Sequence, residues 1–280
     1  MNWSLFQFSF VQNAIVVVLF ISIAASLVGV PLVMKRYSLI GMGLSNVAFV
    51  GMAISALIIN LANDLFIVMP LTVLASMLLL GRGSKTRVKG DASIAMLSVG
   101  ALAVGFFIAS NFSRRGDITA RVNDALFGAN EIMLLSTGDI WVSLVITILV
   151  VAAFIFLHNR LFAVTFDQNF MQATGTKPEI YNYILAAIIG VVIAISMQMV
   201  GALLTSAFII FPALSAMRVF KNYKFVIIAS AAIAAISALF GIFTAILFDT
   251  PPSVTIILFN IAVYGLFCIA GRVIIKIKSS

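Results

Sequence analysis

LFAVTFDQNFMQATGTKPEIY, residues 161–181, is a polar island in a chain that is otherwise almost all hydrocarbon. It carries Asp167, Gln168, Asn169, Gln172, Thr174, Thr176, Lys177 and Glu179, and Gly175 and Pro178 close it. Long apolar stretches flank it on both sides, so the island is the segment built to meet water. The 280 residues are 63% hydrophobic and 9% charged, with a mean hydropathy of +1.21, against about 25% charged in a soluble domain. No core could hide that much apolar surface, so the solvent for most of the chain is lipid.

Working outward, nine apolar stretches read as helical spans: residues 14–34, 44–61, 66–80, 92–109, 140–157, 182–197, 203–219, 225–248 and 254–270. Most approach the roughly 20 residues that a crossing needs, and the third, sixth and seventh are short. The expected fold is all-α: one polytopic integral membrane helical bundle over residues 1–280, with about eight or nine transmembrane helices. An amphipathic lead-in precedes the first stretch. That stretch has neither a basic n-region nor a small-residue cleavage site, so it is read as a retained span. Cys268 is the single cysteine and lies inside an apolar run, which leaves no intramolecular disulfide.

The basic residues set the orientation. The loops at 35–36, 82–89, 160–177 and 218–224, with the C-terminal tail, hold 14 of the 17 Lys and Arg; Arg114, Arg115 and Arg121 lie in the opposite loops. Basic loops favour the cytoplasm. The island and the C-terminus are therefore expected inside, with the N-terminus and the connection 110–138 outside. The net charge of +8 is accordingly topogenic, and no nucleic acid partner is expected.

Residues 196–213, SMQMVGALLTSAFIIFPA, are unusual for a lipid-facing helix. Gln198, Gly201, Thr205 and Ser206 are small or polar, and Pro212 lacks a backbone donor. Such a stretch either packs helices closely through small residues or lines a pathway; both readings place it inside the bundle. Asp91 opens the fourth span, as a helix-start cap or as a functional ionisable group. Asp124, Glu131 and Asp139 belong to the outward-facing connection, with Asp139 placed to cap the fifth span. His158, the only histidine, sits at a span end and reads as a solvated interfacial group. Met34, Met42, Met52, Met197 and Met199 suit irregular apolar packing, with a soft-metal role as the alternative. No HExxH or GxSxG is present, and GRGSKT at Gly81 lacks phosphate-loop spacing, so the chain is not expected to be an enzyme.

The island and the junction together resemble the membrane subunit of the ABC-3 family of metal importers, which carry zinc, manganese or iron. The matching stretches are FAVTFDQNFMQATGTK (162–177) and SMQMVGALLTSAFIIFPALSAMR (196–218). KRYSLIGMGLSNVAFVGMAI (35–54), VKGDASIAMLSVGALAVG (88–105) and DALFGANEIMLLSTGDIW (124–141) also match, in the same order. The resemblance implies an importer permease fold in a bacterial plasma membrane. It implies three partners: a second copy of the chain, a cytoplasmic ATPase and an extracytoplasmic metal-binding protein. ATP would be bound and hydrolysed on the ATPase, so this chain is expected to bind no cofactor. A divalent metal, zinc first, would be its cargo. Phe166, Asp167, Ala173 and Gly175 take the positions of the family's coupling helix; Asp167 suits a helix start and Gly175 a helix stop.

The sequence departs from the family at the second span, where an Asp and a His commonly stand four residues apart on one helix face. Met42 and Asn46 replace them here, and both are poorer ligands for zinc or manganese. They are either a modified metal site or packing residues. The alternatives to a metal importer are therefore a transport-altered paralogue, or a secondary transporter or channel that is not coupled to ATP. The spans carry few of the buried ionisable groups that ion coupling uses.

Overall fold

The computed structural model describes residues 9–58, 64–81, 90–112, 125–126, 128, 132, 135–166 and 168–279. All nine expected spans are helices: α1 (Ser9–Met34), α2 (Ile40–Leu57), α3 (Leu65–Gly81), α4 (Gly90–Phe112), α5 (Thr137–Phe156), α8 (Pro178–Val200), α9 (Ala202–Val219), α10 (Tyr223–Phe248) and α11 (Pro252–Ser279). The polar island forms two further short helices, α6 (His158–Phe166) and α7 (Gln168–Ala173). Among the described residues seven of these helices are long and apolar enough to cross a membrane, and α2 and α3 are the two shorter apolar ones. The sixth span, expected to be short, extends over 23 residues in α8 because its polar first turn is still helical.

α1 and α8 are central, with 72% and 67% of their apolar windows buried; α4 and α11 are peripheral, at 17% each. α1 packs against α5, α8, α9 and α10, while α8 packs against α2 and α3, and α2 carries α4 on its other side. Hydroxyl groups tie these contacts. Ser76 Oγ donates to the Ala186 carbonyl at 2.7 Å, and Thr147 Oγ1 donates to the Phe20 carbonyl at 2.9 Å. With no hydrophobic drive between helices in lipid, such small-residue contacts supply close packing and cross-helix hydrogen bonds. The lead-in is helical from Ser9, and Asn13 Nδ2 donates to the Leu135 carbonyl at 3.3 Å.

The break between α8 and α9 falls on one residue. Gly201 has φ +84° and ψ 164°, a conformation essentially reserved for glycine, and it ends α8 and starts α9. Its N–H donates to the Met197 carbonyl at 2.9 Å, and its own carbonyl accepts from the Thr205 N–H and from Thr205 Oγ1. The backbone therefore turns inside the bundle with its polar groups satisfied. Ser136 and Asp139 join at the start of α5, where the Ser136 N–H and Oγ both donate to the Asp139 carboxylate.

Candidate functional site

The island is held on an aromatic platform. Tyr223, buried in the first turn of α10, meets the Phe162 ring at 5.3 Å, the Phe166 ring at 6.0 Å and the His158 ring at 5.3 Å between centroids. Phe162 and Phe166 pack on each other at 4.6 Å, one helical turn apart along α6. Both phenylalanines keep an exposed edge, 43% and 54% accessible, so the cluster is seated in the bundle and open to a partner.

α7 is pinned at Met171, which is buried, while residues 172–175 are exposed at its tip. The tip closes in a Schellman turn: the Gly175 N–H donates to the Gln172 carbonyl at 3.0 Å and the Thr176 N–H to the Met171 carbonyl at 3.2 Å. Gly175 takes φ +79°, and a side chain there would meet nothing within 4 Å. The helix stop expected at Gly175 is thus present, and the space beyond it is open. Arg160 crosses back to α8, donating to Thr176 Oγ1 at 3.2 Å and lying over the Tyr181 ring. The structure brings Phe166, Ala173 and Gly175 into one unit; Asp167 lies outside the described residues.

Near this unit the chain half-buries a cation. Lys35, in the turn after α1, donates from Nζ to Asn182 Oδ1 in the first turns of α8 at 2.7 Å. Burial pulls the Lys35 ammonium down from its ordinary 10.5 to about 8.

The two metal-ligand positions are separated by environment. Asn46 is buried and donates from Nδ2 to Ser98 Oγ at 2.8 Å and to the Ser98 carbonyl at 3.2 Å, which ties α2 to α4. Met42, one turn earlier, is 41% exposed. Among the described residues no three His, Cys, Asp or Glu side chains converge as a metal site. Thr205 and Ser206 donate to carbonyls of their own helix, those of Gly201 and Ala202, and both are buried; Gln198 is half-buried in α8. Asp91 is the second residue of α4, with its side chain outside the described set, as are Asp124 and Glu131. Sequence reasoning missed Tyr223, Lys35–Asn182 and Ser98, each joined to its partner only by the tertiary fold.

These features define a multi-pass helical membrane protein with a structured polar segment mounted on one end of its bundle. The chain belongs to the ABC 3 transport family, which matches residues 7–270. Among its relatives is the manganese import system permease protein ScaB of Streptococcus gordonii, 28% identical over 261 residues, covering 93% of this chain and 91% of that protein. Another is the manganese transport system membrane protein MntC of Halalkalibacterium halodurans, 26% identical, covering 94% of this chain and 87% of that protein. A solved structure, PsaBC from Streptococcus pneumoniae in complex with Fab, shares the fold. It gives a TM-score of 0.80 at 22% identity and covers 94% of this chain and 92% of that one.

Proposed function

We propose that this chain is the permease subunit of an ATP-driven importer of divalent metal, with manganese as its favoured cargo. The observation that carries the reading is end-to-end similarity to permeases named for manganese import, over more than nine-tenths of this chain. The sequence alone ranked zinc first; these relatives put manganese ahead of it. The ATPase and the binding protein are separate chains, and a second copy of this chain completes the pathway.

In this reading α6 and α7 couple the two halves of the machine. The exposed tip at Ala173 and Gly175 meets the ATPase, and Phe162 and Phe166 pass its movement to Tyr223 and so to α10. Met42 and Asn46 remain the candidate metal positions, with Asp91, Gln198, Thr205 and Ser206 as candidate pathway residues. The island faces the cytoplasm together with the C-terminus.

The test is uptake of radiolabelled manganese, iron and zinc by cells expressing the chain with its neighbouring ATPase and binding protein. Manganese uptake that depends on the ATPase is expected. Asp167→Lys should insert normally yet abolish ATP-dependent uptake, and normal uptake by that variant would sink the coupling assignment.

A further inference from the structure

Between α1, α5 and α10 the wall of the bundle opens into a cavity of about 670 Å³, within the range of about 300–1,000 Å³ typical of small-molecule sites. Leu27, Phe154, Ile227 and Ala231 form its walls. Ile155, Phe156 and Ile228 at its margin are 68%, 85% and 65% exposed. Large apolar side chains with that exposure, on spanning helices, face hydrocarbon, so the cavity opens sideways into lipid.

One end of the cavity is chemically different. His158 and Asn159 of α6 and Lys224 of α10 meet there, at the end of the bundle that carries the polar island. Among the described residues the Lys224 ammonium has no hydrogen-bond or ion-pair partner, since only its backbone N–H is engaged, by Asn222 Oδ1. Burial and then the nearby Lys224 charge hold the His158 imidazole below its ordinary 6.5. At neutral pH His158 is therefore an uncharged hydrogen-bonding group, and Lys224 supplies the positive charge. An occupant that satisfies both ends must be hydrocarbon along its length and anionic at its head.

We propose that this cavity binds an anionic phospholipid from the leaflet beside α6 and α7, with an acyl chain in the slot and the phosphate at Lys224, His158 and Asn159. A lipid held there wedges α5 and α6 against the first turns of α10. His158 also packs against Tyr223 in a tilted ring contact, so the lipid braces the aromatic platform under the island. Lipid binding itself requires no assumption about cargo or ATP.

The experiment is native mass spectrometry of the full chain, purified and stripped of lipid, then titrated with phosphatidylglycerol or with phosphatidylcholine of the same acyl chains. Wild type should bind phosphatidylglycerol about fivefold more tightly than phosphatidylcholine, the gain expected of one basic residue at the membrane surface. Lys224→Glu should abolish that preference. Ala231→Trp, which fills the slot and keeps the charge, should lose binding of both lipids. Equal binding of the two lipids by wild type would overturn the proposal, as would an unchanged preference in either variant. Displacement of phosphatidylglycerol by inorganic phosphate alone would also overturn it, by showing a free-anion site. Circular dichroism checks the fold of each variant; if Ala231→Trp fails to fold, the exposed Lys224→Glu decides the outcome.

Discussion

Lys35 carries its ammonium where water reaches it poorly, and this gives stability a defined pH dependence. The folded chain releases that proton near pH 8, whereas the unfolded chain holds it to about 10.5. Between those values the unfolded state binds more protons, so stability rises with pH across that window; below about pH 8 the full cost of burying the charge is present. The shift corresponds to a gain on the order of 3 kcal/mol. Denaturant unfolding in micelles at pH 7.5 and 10 should show it, and Lys35→Met should flatten the profile. A wild-type curve without a rise would mean that the ammonium is solvated. Asn46 supports a second prediction. Its amide satisfies Ser98 at two atoms, so Asn46→Ala should cost about 1–3 kcal/mol by leaving a buried polar site unpaired. Met42→Asp/Asn46→His, which restores the family's pair, must break the same tie. It should therefore unfold more readily than wild type in the absence of metal. Thermal unfolding in detergent measures both, and a neutral Asn46→Ala would show that the α2–α4 contact does not depend on the amide.

α6 and α10 are separated by two spans in sequence and meet at one ring, so their contact can be weighed as a pair. Aromatic pairs contribute about 0.5–1.5 kcal/mol beyond the area they bury. A double-mutant cycle of Phe162→Leu with Tyr223→Leu should give a coupling in that range for unfolding. Phe166→Ala should lower ATP-dependent uptake more than it lowers stability. Additive stabilities would mean that the rings merely touch. The spans themselves were legible in the sequence, because a bilayer imposes length and composition on each helix without regard to its neighbours. The stop at Gly175 was legible for the same local reason, since a left-handed residue after a short helix is most easily a glycine. Tyr223, Ser98 and Asn182 were not legible: an aromatic, a serine and an asparagine at span ends or inside a span carry no mark of which distant residue they will meet. The first of the two short helices, α6, was hidden as well, because the nine residues 158–166 are too few for a helical period to separate a helix from a loop.

At the scale of the whole molecule, charge and connectivity bear on the same question from different directions. Lys35, Arg160 and Lys224 gather at the end where α6 and α7 sit, through contacts with Asn182, Thr176 and the His158 cavity. Four long apolar helices, α8 to α11, then separate α7 from the C-terminal segment, and all four qualify as spans. Four crossings would return the chain to its starting side, which predicts a C-terminus on the cytoplasmic side proposed for α6 and α7. A green fluorescent protein fused after Ser280 should therefore fluoresce, and alkaline phosphatase at the same position should be inactive. The opposite pair of results would put α6 and α7 outside, beyond the reach of any ATP-hydrolysing partner. No likeness to importers could then rescue the coupling role of Phe166, Ala173 and Gly175. A fluorescent C-terminus combined with loss of uptake in Phe166→Ala would instead join topology and mechanism through the same short polar segment.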